Sequence, residues 1–219
     1  MSHSSSASVE TNKEPNDQYP GSEECIGWRA LLEVSSNRAR KERGGNYIQI
    51  ATVDANGLPR CRTVVFRGFL EQDSSGRSAM KMITNAQSDK VQQVAHCPHS
   101  EMVWWFPKSS EQYRIAGELQ LIGPDHSDSE MLDARKQMWG NLSDPAREQF
   151  WWNPPGPYHP QPELPAGGRD TAGKVLHPPE TFLMMLLWPS RVDYLRLTDN
   201  YHQVDILEDN TWSARRMNP

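Results

Sequence analysis

Between Asn46 and Lys90 the chain gathers groups that suit a phosphate. Arg62 and Arg67 carry guanidinium forks that match phosphate oxygens two at a time. Thr84 and Ser88 offer hydroxyls. Lys90 adds a compact charge, and a helix-like segment opening after Ser88 would aim its first backbone N–H groups outward. Val64 and Val65 lie between the arginines, where backbone atoms could meet the polar edge of a ring. The chemistry implied is binding of a phosphate monoester that carries an aromatic system. Arg62 and Arg67 are five apart, so an unbroken strand sends them to opposite faces. Either a bulge intervenes or they touch different parts of the ligand.

The elements that must position these groups show in the pattern. Residues 47–53 and 58–70 read as a β-hairpin around Asn56-Gly57, a strong turn pair. Residues 79–84 read as the next strand. Residues 89–96 read as a short helix with Ser88 at its N-cap. Upstream, residues 25–43 carry Trp28, Leu31, Leu32 and Ser35 at helical spacing, ended by Gly44-Gly45. Downstream come strands over 101–106 and 112–122. A helix over 127–140 follows, opened by a Ser127/Glu130 capping box. Another helix begins at Asp144-Pro145 and leads to Phe150-Trp151-Trp152. Residues 153–179 hold eight of the 17 prolines and read as an irregular surface loop. Strands over 181–188, 192–197, 203–207 and 212–217 complete the chain. Six to eight strands with few long helices predict a mainly β (α+β) fold, a closed or nearly closed antiparallel barrel.

Composition narrows the function. A net charge of -5 argues against non-specific nucleic-acid binding, which needs a basic face. The local run Arg38, Arg40, Lys41 and Arg43 fits a solvated helix end. Cys25, Cys61 and Cys97 form no CxxC pair, and His96, Cys97 and His99 have no second ligand pair, so no metal is expected. No apolar run spans a membrane. The Ser-rich residues 1–22 read as a disordered tail and 23–219 as one domain, in a soluble, cytoplasmic protein. A phosphate ester with a ring that needs an apolar slot and hydrogen bonds at its polar edge describes flavin mononucleotide (FMN).

The order Arg62-x-Val64-Val65-x-Arg67, Ile83-Thr84-Asn85, Ser88-Asp89-Lys90 and Glu111-Gln112-Tyr113-Arg114-Ile115-Ala116-Gly117 resembles the pyridoxamine 5'-phosphate oxidase family. It is most similar to the oxidase-like FMN-binding branch of unassigned function. Segments 104–108, 150–154 and 216–219 are similar too. The resemblance implies an FMN-binding split β-barrel with flanking helices, working as a homodimer with FMN at the interface. It implies that Arg62, Thr63, Val64, Val65 and Arg67 line phosphate and ring, and that Ile83 and Thr84 meet the ribityl chain and phosphate. Lys90 would bind phosphate, beside the hydroxyl that Ser88 offers by its own chemistry, and Gln112 would reach FMN from the partner. Arg67 stands where the oxidases carry a lysine that also touches the substrate. Two departures stand out. Asp89 replaces an arginine, and residues 200–204 lack the arginines of the oxidases' Arg-x-His-x-Arg, with Leu195 in place of a tryptophan. The expectation is an FMN-dependent oxidoreductase with a small-molecule substrate. A true pyridoxine/pyridoxamine 5'-phosphate oxidase and a non-catalytic flavin-binding module are the alternatives. His202 is the best single acid–base candidate, and Trp151 and Trp152 are candidates for a lid or dimer contact.

Overall fold

The computed structural model describes residues 25–218 apart from 72–76, 155, 157, 159 and 161–164. The tail assigned to 1–22 lies outside the described residues, as do parts of the loop over 153–179. Nine strands form one antiparallel sheet: β1 (Tyr47–Val53), β2 (Pro59–Val65), β3 (Phe69–Leu70), β4 (Ala79–Asn85), β5 (His99–Phe106), β6 (Glu111–Ile122), β7 (Phe182–Arg196), β8 (Tyr201–Glu208) and β9 (Thr211–Met217). Their order is β2-β1-β5-β6-β7-β4-β3, with β8 on β7 and β9 on β8. Four α-helices flank it: α1 (Trp28–Ala39), α2 (Asp89–His96), α3 (Ser129–Gly140) and α4 (Asp144–Glu148). This is the expected mainly β architecture.

The barrel closes where the chain leaves β1 for β4. Phe66 N–H still donates to Asn46 O (2.9 Å), but Arg67 N–H donates to Lys81 O (2.8 Å). Gly68, at φ +98°, makes the step; L side chains rarely adopt that backbone conformation. The barrel splits on β7, where the sequence predicted two strands and the structure has one of 15 residues. Its first part pairs with β4 (Met80 to Leu187) and its last with β8 (Arg191 to Ile206). Pro189 lies between them and can donate no ladder bond. Opposite it, the β6 register shifts between Ala116 and Gly117. A Cβ on Gly117 would sit 2.1 Å from the Trp188 carbonyl oxygen, so the bulge needs glycine.

Period-two alternation gives β7 two cores. Met185 and Leu187 join the barrel interior with Leu32, Ile48, Ile50, Trp104 and Tyr113. Met184 and Leu186 face a second cluster with Met138, Trp139, Phe150 and Phe182, under α3 and α4. Local expectations shift in two places. α1 stops at Ala39, four residues before the predicted end, and a run of turns carries the chain to Gly45. α3 is capped by Asp128 rather than Ser127, because Asp128 Oδ1 accepts the Glu130 and Met131 N–H groups at 2.8 and 3.5 Å. The start of α1 is closed from far along the chain, since Trp28 N–H donates to Asp205 Oδ1 on β8 (3.0 Å). Among the described residues no helix is long and apolar enough to cross a membrane.

Candidate functional site

An open cleft of ≈ 920 Å³ lies between β2, the β1–β2 turn and the first turn of α2. Arg62, Ser88 and Lys90 line it together. Arg62 is held from behind. Its Nη1 donates to Thr52 Oγ1 (2.6 Å) and Ile50 O (3.3 Å), and its Nη2 to Gln93 Oε1 (2.6 Å). The Thr52 hydroxyl also donates to Gln93 Oε1 (2.6 Å), which locks both acceptors. Lys90 Nζ donates to Thr84 Oγ1 (3.0 Å) and Ser88 Oγ (2.5 Å). The Ser88 hydroxyl therefore serves Lys90 and makes no side-chain cap bond, although Ser88 sits at the N-cap of α2 as predicted.

Electrostatics mark this corner. Burial holds the Lys90 ammonium below its ordinary pKa, and the neighbouring Arg62 cation pushes the same way, opposed by Asp89. Burial likewise lowers Arg62, with Cys61 and Asp89 opposing. Among the described residues, neither cation has an ion-pair partner within contact distance, and Asp89 itself is exposed. Two partly desolvated cations side by side, with a hydroxyl and helix N–H groups adjacent, fit an anion with several oxygens.

Arg67 does not join them. The step from β1 to β4 sends it to a separate pocket of ≈ 200 Å³, lined by Lys81, by Gln137 and Met138 of α3 and by Asn141 just after that helix. That resolves the spacing of five: the two arginines serve different places. Arg67 Nε is buried with no hydrogen-bond partner among the described residues. Burial is the main cause that lowers the pKa of both Arg67 and Lys81.

The remaining candidates are scattered around these two pockets. Thr63 is exposed, on the opposite strand face from Arg62. Val64 packs on the barrel core, and Val65 is half-buried at the end of β2 beside Tyr47. Thr84 is buried behind Lys90. Ile83, its neighbour on β4, points away and packs on the second core. Gln112 is outside the cleft, in a register row across five strands: Trp105, Gln112, Leu195, His202 and Met217. Trp105 and Met217 on that row are 41% and 43% exposed. His202 Nδ1 lies 2.9 Å from Asn218 O and its Nε2 is 3.6 Å from Asp193 Oδ1. Trp151 packs on the second core, whereas Trp152 is exposed.

Sequence reasoning missed Thr52, Gln93 and Lys81. The first two had a signal. Thr52 falls on the same strand face as Ile48 and Ile50, a polar group in a buried parity, and Gln93 lies three residues after Lys90 on one helix face. Lys81 had none, because its place beside Arg67 depends on the closure of the barrel.

Residues 26–123 match the family described as pyridoxamine 5'-phosphate oxidase, FMN-binding domain. A crystal structure of a pyridoxamine 5'-phosphate oxidase-related, FMN binding protein from Nostoc punctiforme is 35% identical. It superposes with a TM-score of 0.77, over 89% of this chain and 99% of that one. The pyridoxine/pyridoxamine 5'-phosphate oxidase 2 of Arabidopsis thaliana is 29% identical over 202 residues, which is 88% of this chain and 96% of that protein. PhzG from Burkholderia lata shares the fold at 16% identity, with a TM-score of 0.66 over 87% of this chain and 92% of that one.

Proposed function

Because the chain belongs to the pyridoxamine 5'-phosphate oxidase-related family of FMN-binding proteins, we propose that it is an FMN-dependent oxidoreductase acting on a small molecule. The observation that carries this is the Arg62–Lys90 pair. Arg62, oriented by Thr52 and Gln93, would hold phosphate oxygens through its free N–H groups. Lys90, held by Thr84 and Ser88, would neutralise the same phosphate. The backbone of Val64 and Val65 continues along β2 toward where the ring edge would lie. Bound FMN would supply two-electron redox chemistry at its ring.

The row through Trp105, Gln112 and His202, exposed at its Trp105 and Met217 ends, is the face we assign to a second copy of the chain. It would bring Gln112 to the partner's cofactor and place His202 and its neighbour Asp193 near it. The separate Arg67–Lys81 pocket would receive an anionic group of the substrate. That pocket favours a second reading, oxidation of pyridoxine or pyridoxamine 5'-phosphate, the activity named for the Arabidopsis relative.

The test is the visible spectrum of the purified protein and an FMN titration, followed by oxygen uptake with pyridoxamine 5'-phosphate. A yellow protein or tight FMN uptake supports the first reading. Turnover then selects the second. A colourless protein that takes up no FMN refutes both.

A further inference from the structure

A lysine stands in an apolar row of β4. Ala79, Lys81 and Ile83 share one strand face by period-two alternation. Ala79 and Ile83 pack in the second core, as does Leu186, the cross-strand partner of Lys81 on β7. The Lys81 stem therefore leaves the sheet among apolar groups. It passes Gly68, where a Cβ would meet its Cε at 3.8 Å. Lys81 lines the pocket of ≈ 200 Å³ beside α3 together with Arg67, Gln137 and Asn141, and Leu70 and Met138 supply apolar wall.

The backbone fixes the two cations as neighbours. Lys81 N–H donates to Gly68 O and Lys81 O accepts the Arg67 N–H, both at 2.8 Å. Among the described residues neither side chain has a hydrogen-bond or ion-pair partner. The acid that acts on Lys81 is Glu71, which is exposed and pairs with Arg29 at 3.0 Å. Lys90 makes the contrast. Burial lowers the pKa of both lysines. Lys90 Nζ, however, donates to Thr84 and Ser88 at 3.0 and 2.5 Å, which holds it as an ammonium. Lys81 Nζ has no such bond among the described residues. A desolvated amine beside another cation, with no acid in contact, is the setting that makes a lysine a nucleophile. Arg67 adds a fork for an anion. The Gln137 and Asn141 amides offer N–H donors for a carbonyl oxygen. Pockets for drug-sized ligands measure about 300–1,000 Å³, so this smaller one suits a short carbon chain.

We propose that Lys81 forms an imine with a small anionic aldehyde whose carboxylate is held by Arg67. The neutral amine attacks the carbonyl carbon. A C=N bond replaces C=O, and the oxygen leaves as water with the two amine hydrogens. No oxidant or reductant takes part. The proposal rests on the reading that this pocket receives an anionic group, and it places a carbonyl beside that group.

The experiment traps the imine with cyanoborohydride in the full-length protein at neutral pH, and peptide mass analysis locates the adducts. Glyoxylate is the anionic aldehyde and acetaldehyde the neutral one. Glyoxylate should modify Lys81 about tenfold faster than the exposed Lys41. The glyoxylate-to-acetaldehyde rate ratio should be about fivefold higher at Lys81 than at Lys41, and Arg67→Met should bring it down to the Lys41 value. Glyoxylate reacting at Lys81 no faster than at Lys41 overturns the proposal, and so does an equal ratio at the two lysines of the wild type. A second arm reads the pocket alone, as protection of Lys81 from acetic anhydride by inorganic phosphate. Protection without a selective glyoxylate adduct overturns the imine and leaves the anion reading standing. Absence of both removes the two together.

Discussion

Replacing Arg62 by alanine separates the phosphate binding proposed for it from its structural role of tying β2 to β1 and α2. In the folded protein Arg62 donates to Thr52 Oγ1 and Gln93 Oε1, both at 2.6 Å. Without it, Thr52 and Gln93 remain bonded to each other at 2.6 Å, so neither is orphaned. The cost to folding is therefore about 1 kcal/mol, the net worth of ordinary hydrogen bonds. The cost to FMN binding is larger. A charge-assisted contact from a partly buried guanidinium is worth about 1.5–3 kcal/mol, which raises Kd roughly tenfold to a hundredfold. Arg62→Lys is expected to recover little, because one ammonium cannot reach Thr52, Gln93 and a phosphate at once. The assay pairs urea unfolding of the cofactor-free protein with a flavin-fluorescence titration. A correctly folded Arg62→Ala protein with wild-type FMN affinity would refute the assigned role.

Two further outcomes follow from buried charges. Lys90 has a folded pKa below its ordinary 10.5, mainly through burial. A depressed lysine costs stability while protonated, so the cofactor-free protein gains stability as pH rises from the folded pKa toward 10.5. FMN favours the charged form, so its affinity should fall over the same window; an unchanged titration at alkaline pH, or no flattening in Lys90→Met, would count against the contact. Asp205 is the opposite case: burial raises its carboxyl above 3.8 despite bonds from Gln203 and the Trp28 N–H. Its ionisation costs stability that is absent below 3.8 and complete above the folded pKa. Asp205→Asn keeps an acceptor for Trp28 N–H but turns its NH2 toward the Gln203 Nε2 donor, so its melting temperature should lose the fall that the wild type shows as pH rises from 3.8 through the folded pKa. Asp205→Ala should instead lose about 1–3 kcal/mol by leaving that N–H unpaired.

Much of the fold was legible because the signals were local. The alternation of Tyr47–Val53, the Asn56-Gly57 turn and the helical spacing of Asp89–His96 each depend on neighbours within a few residues, and these elements match the structure. The errors fall where a distant segment decides. β7 runs through Pro189 because a bulge at Gly117 on another strand accommodates it. The cap on α1 comes from Asp205, 177 residues away.

The site divides along the same line. The residue types and their order pointed to a phosphate-binding group, since guanidinium, ammonium and hydroxyl chemistry belongs to each side chain wherever it lies. Which cations share a pocket belongs to the closed barrel. The turn at Gly68 puts Arg62 with Lys90 and sends Arg67 to Lys81. Coulomb and desolvation effects act over a few ångströms of space, and distance along the chain does not measure them.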